Sequence, residues 1–127
     1  MTYVKATPKS VDEAVRDLEA AVARHGFGVL HAYDFRRTLA EKGFPIDREC
    51  RVLEVCNPRQ AQAVLEHDMS LNMALPCRIS VYEDAGETRI GMIPPTDLLG
   101  LVVGQGDLQG VAADVEAAIR GMIDEAA

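Results

Sequence analysis

The side chains best able to do chemistry in this chain are its cysteines and histidines. The first to weigh is Cys56, in VCNPRQ at residues 55–60. Asn57 is a favoured helix N-cap and Pro58 suits a first helical position. Gln60 completes a capping-box pattern. Cys56 therefore stands one residue before a helix start, near the positive end of the helix dipole. A thiol so placed can have a lowered pKa and serve as a nucleophile or metal ligand. The other reading is a small inert residue that closes a strand. Cys77 in LPC, residues 75–77, opens a later strand. Pro76 is tolerated there because the first residue of a strand need not donate to the ladder. If the third and fourth strands are neighbours, Cys56 and Cys77 line one end of the sheet. Cys50 shares a strand face with Cys56, but six extended residues put it roughly 20 Å away.

His31 falls in a strand, His67 near a helix end in EHDM, and His25 in the last turn of a helix, where it suits the helix C-terminus. His31, Cys56 and His67 are ligand types that zinc, iron and haem accept. No ligand-pair spacing accompanies them, so no metal set is assigned and any cofactor is unknown. The chain contains no HExxH, GxSxG or P-loop, hence no recognisable catalytic motif. GQGDLQG, residues 104–110, has GxGxxxG spacing and opens a helix. It comes late, no βαβ unit follows it, and Asp107 repels an anion, so it reads as a turn and helix cap. The candidate ligand-binding residues are Cys56, Asn57, Cys77, His31 and His67.

These residues need elements to position them. Residues 2–6 read as a first strand. Ser10 and Glu13 form a capping box for a helix that Gly26 stops. Val11, Val15, Leu18 and Val22 recur at helical spacing along it. Residues 27–33 form a second strand. Residues 34–43 form a short helix capped by Asp34 and ended by Gly43. Residues 49–56 form a third strand, with Leu53 and Val55 facing away from Glu54 and Cys56. A helix over 58–68 follows. Residues 77–84 and 87–93 flank Asp84-Ala85-Gly86, a hairpin signal. Ile79 and Val81 face the core opposite Ile90 and Met92. LLGLVVG, residues 98–104, reads as an apolar connection. The last helix runs from about Asp107 to Glu125, with Leu108, Val111, Val115, Ala118, Ile119 and Met122 as its buried stripe. Helices mixed with an antiparallel hairpin indicate an α+β two-layer sandwich, its sheet covered on one face by two long helices. The other face is partly apolar and open to a partner or ligand.

The chain has 127 residues, 48% of them hydrophobic and 26% charged, which suits one domain over residues 1–127. The net charge of −7 disfavours nucleic acid. The densest basic positions, Arg36, Arg37, Lys42, Arg48 and Arg51, have acids among them and read as a solvated surface. No apolar run is long enough to span a membrane, and MTYVKATPKS lacks a signal peptide's apolar core. A cytoplasmic protein with three free thiols is expected.

One pattern ties these pieces together. Gly26-Phe27 and Asp34 precede TLAEKG at 38–43. Then come Cys56-Asn57-Pro58, Ala61 and Leu65 in the next helix, and Leu75-Pro76-Cys77. This resembles the domain of unknown function 302 family of small bacterial and archaeal proteins, over nearly the whole chain. The resemblance implies a β-α-β(4)-α fold, similar to half of a TATA-binding protein, in proteins that often form dimers. It implies no activity, and it adds functional weight to Cys56, Asn57 and Cys77. The expected function is a homodimeric module that binds a small molecule, metal or haem near the Cys56 end of the sheet. The alternatives are a thiol enzyme or redox protein acting through Cys56, and a structural or interaction dimer.

Overall fold

Local chemistry sets the first elements. Ser10 Oγ accepts from the Glu13 N–H at 3.1 Å, and the Glu13 carboxylate accepts from the Ser10 N–H at 3.4 Å. This capping box starts α1 (Val11–Arg24), which follows β1 (Tyr3–Thr7). Next come β2 (Gly28–Asp34), α2 (Phe35–Glu41), β3 (Cys50–Cys56) and α3 (Pro58–His67). A 3-10 helix (Met69–Ala74) leads to β4 (Cys77–Asp84), β5 (Glu87–Met92), α4 (Pro95–Val102) and α5 (Gln109–Ala126). This is a computed structural model, and it describes residues 1–102 and 109–127.

The five strands form one antiparallel sheet in the order β1-β5-β4-β3-β2. With α1 and α5 as the long helices, this is a β-α-β(4)-α arrangement, and α2, α3 and α4 are insertions. Paired residues share a face, so the register sorts the sheet. Leu53 lies opposite Ile79, and Val81 opposite Ile90. All four are buried against Ala14, Leu18 and Val22 of α1 and Ile119, Met122 and Ile123 of α5. The outward row runs Val4, Gly91, Ser80, Val52, Tyr33.

Two segments depart from the sequence reading. LLGLVVG was expected to be a connection, yet residues 95–102 form α4. Pro95, three residues past the end of β5, is preset for the first turn of a helix. Thr96 then anchors α4 to α5, its hydroxyl donating to Glu116 at 2.6 Å. The 3-10 helix was not foreseen. Asp68 starts it by accepting from the Ser70 N–H at 2.9 Å. Residues 103–108, which carry most of GQGDLQG with Asp107 and Leu108, lie outside the described residues.

Four of the five densest basic positions are paired where they stand. Arg36 pairs with Glu49 at 2.9 Å, Arg37 with Glu41 at 3.2 Å and Arg48 with Asp84 at 3.7 Å. Arg51 reaches Asp12, Asp34 and Glu49. His25 is the C-cap of α1, and its Nε2 lies 3.1 Å from Glu125.

Candidate functional site

Beyond the main core, α3, the 3-10 helix, α4 and the start of α5 build a second apolar cluster. Its members are Val64, Leu71, Leu99 and Ala112. This cluster stands off the end of the sheet where β3 finishes and β4 begins. Between the two lies a cavity of about 270 Å³, just under the roughly 300–1,000 Å³ range of small-molecule pockets.

Each wall has a local cause. Val55 and Cys56 come from the last turn of the β3 ladder, just before Asn57 redirects the chain. Asn57 is extended, and its Oδ1 accepts from the N–H groups of Arg59 and Gln60 at 3.1 and 3.2 Å. Those bonds, with Pro58 behind them, aim α3 so that Gln60, Ala61 and Val64 face the cavity. Pro76 and Cys77 enter from β4, where Cys77 is paired with Val55. Ile93, Leu98 and Leu99 close one side around the Pro95 bend, while Val111 and Val115 of α5 close another. Leu30 and Ile93 stand at the opening, 62% and 52% exposed. Leu30 sits where the β2–β3 register slips between Val29 and His31. Such a bulge re-aims a side chain.

The structure thus brings Cys56, Asn57 and Cys77 together on one wall. His31 lies on the outward face of β2, exposed, with its ring centroid 4.5 Å from that of Tyr33. His67 is exposed at the end of α3. Neither histidine lines the cavity. Among the described residues no three histidine, cysteine or carboxylate side chains converge as a metal site. The residues present do not fit a resident metal at this wall, and no histidine is placed there as an axial ligand for haem.

The thiols differ from the expectation drawn from the helix start. Burial pushes the Cys56 thiol above its ordinary range. Burial, with Cys56 nearby, pushes Cys77 up to about 11. Loss of water around the anion outweighs the favourable helix end. Both groups are neutral thiols near pH 7, which makes Cys56 a poor nucleophile. Cys50 is separate, and burial raises it too.

The capping box at α3 is only half formed. Asn57 caps the helix, but the Gln60 Oε1 is buried with no hydrogen-bond partner. Several cavity residues were legible only as core. Ala61, Val64, Val111 and Val115 fall on ordinary apolar helix stripes, and nothing in their spacing distinguishes a cavity wall from packed interior. Leu30 and Arg78 carried no signal at all.

The comparisons with known proteins agree with this fold. The family model described as "Domain of unknown function DUF302" matches residues 3–126. The chain is also similar to a crystal structure described as that of an uncharacterized conserved DUF302 protein from Bacillus stearothermophilus. The two are 33% identical with a TM-score of 0.93, over 99% of this chain and 98% of that one. No curated protein matches the chain.

Proposed function

The chain belongs to the DUF302 family, whose description assigns no activity, and from the cavity we propose that it is a homodimeric module binding a small apolar molecule. The observation that carries this reading is the cavity of about 270 Å³ at the end of the sheet, walled by apolar side chains and by Cys56 and Cys77. The apolar lining of this cavity lacks the packing contacts of a closed core and faces water instead. A ligand that fills it recovers them. The apolar LLGLVVG segment contributes Leu98 and Leu99 to the wall, and IPPTD beside it contributes Ile93 and Pro95. Of the ligand classes weighed, a small organic molecule fits best, since the histidines lie elsewhere and no metal cluster converges among the described residues. The raised thiols argue against nucleophilic use of Cys56.

The dimer is supported by β2. It is an edge strand whose residues Gly28–Tyr33 are all exposed, including Val29, Leu30 and Tyr33. An unpaired edge with apolar side chains is a template for a second chain. Such a module acts in the cytoplasm in this reading.

The test is a thermal-shift and native mass-spectrometry screen with uncharged apolar molecules small enough for the cavity. The wild-type protein should gain stability with several of them. Ala61→Phe, which fills the cavity from α3, should abolish the gain while circular dichroism stays unchanged. No shift across the panel, or equal shifts in the filled variant, defeats the reading.

A further inference from the structure

Six polar side chains reach the cavity wall: Cys56, Asn57, Gln60, Asn72, Cys77 and Arg78. Two are already committed. Asn57 Oδ1 accepts two backbone N–H groups of α3. Asn72 Nδ2 donates to the Met69 carbonyl at 2.6 Å. The thiols are held neutral by burial, so they place no charge inside. Arg78 is exposed. That leaves Gln60. In a complete capping box its oxygen would accept from the Asn57 N–H. Instead Oε1 is buried without a partner among the described residues. A buried carbonyl oxygen with no donor is destabilising, and native structures retain such groups where something else satisfies them. The terminal torsion of a glutamine is broad and soft, so a modest turn presents the oxygen to the space beside it.

Resting on the binding reading above, we infer that the ligand is a neutral, apolar molecule with one hydroxyl or N–H donor, and that Gln60 Oε1 accepts from it. The apolar wall supplies affinity. The buried, unpartnered acceptor supplies orientation and chemical selectivity, as sparse polar groups do in such pockets. Gln60 is then the specificity-determining residue of the site.

The experiment uses two isomers of equal size, 1-hexanol and methyl pentyl ether. Only the alcohol can donate. Both are titrated by calorimetry into the wild-type protein, Gln60→Leu and Gln60→Met. In the wild type the alcohol should bind at least as tightly as the ether. A wall without an acceptor favours the ether, which is less strongly hydrated. In both variants the alcohol-to-ether ratio of association constants should fall about tenfold, the worth of one hydrogen bond. If only one variant folds, it carries the comparison. An ether preference in the wild type, or an unchanged ratio in a folded variant, overturns the inference and leaves the binding reading standing. So does a larger loss for the ether than for the alcohol, which would mean that the amide presents its NH₂. If neither molecule binds the wild type, the cavity reading falls and takes this inference with it.

Discussion

At the residue scale, Cys77 shows how burial decides chemistry. Its thiol is held at about 11, against about 8.5 for a free thiol. The folded protein therefore resists deprotonation more than the unfolded chain does. The stabilisation is complete below about pH 8.5 and is lost as pH rises toward 11, by roughly 3 kcal/mol in all. Urea unfolding at pH 7.5 and pH 10.5 should show a smaller loss for Cys77→Ala than for the wild type. Equal losses would remove the buried thiol as a cause. The same physics separates Cys56 from the nucleophile its position suggests. Its position at the helix start is favourable, but partial burial raises its pKa all the same.

At the scale of elements, the hairpin and the β1–β5 pair carry local strain and close contact that can be tested. Ala85 and Gly86 both have positive φ, 52° and 78°. Glycine adopts this at no cost, whereas alanine does not. A two-residue turn of this kind prefers Asn-Gly. Ala85→Asn should therefore raise stability by about 0.5–1 kcal/mol, read as a higher denaturation midpoint at unchanged slope. A lower midpoint would contradict this account of the turn. Gly91 is different, since its backbone is ordinary and its surroundings are not. A Cβ there would come within 2.8 Å of Val4 Cγ2 and 3.1 Å of the Tyr3 carbonyl oxygen. Gly91→Ala should push β1 outward and cost about 1–2 kcal/mol net of alanine's backbone advantage. Amide exchange should quicken along β1 first. Undisturbed protection there would show that Val4 gives way freely.

At the scale of the whole molecule, the open edge and the cavity mouth lie on the same strand. β2 is exposed from Gly28 to Tyr33, and Leu30 leaves its ladder to reach the cavity. In the proposed dimer, Val29→Lys places a charge on that edge, a device that blocks edge pairing. The wild type should sediment at twice 13.8 kDa at micromolar concentration, and the variant at the monomer mass. A monomeric wild type would remove the dimer from the proposal. The acidic net charge of −7 does not by itself oppose association, because much of the chain's charge is paired on its surface. The link from Asp12 through Arg51 to Asp34 and Glu49 is one such network.

Much of this protein was determined by the order of its residues alone. Alternation placed Leu53 and Val55 inward, and helical spacing placed Leu18, Ile119 and Met122 against them. Ser10, Asp34 and Asn57 began helices because a short polar side chain can satisfy free backbone N–H groups wherever it occurs. These effects act over a few residues, and the CNP and LPC motifs carried the family with them. The site was only half legible. That Cys56 and Cys77 share a wall follows from β3 and β4 being neighbours, which is a pairing of distant segments. His31 stands apart from that wall because the β2–β3 register puts it opposite Glu54 on the outward face, and His67 because it ends α3 in solvent. The direction of the thiol shifts could not be read from the helix start, because desolvation depends on every chain segment that closes over the sulfur. The turned-in oxygen of Gln60 is the clearest case. Its spacing from Asn57 spelled a local bond, and only the packing of α3 against the end of the sheet left that oxygen buried and unpaired beside a cavity.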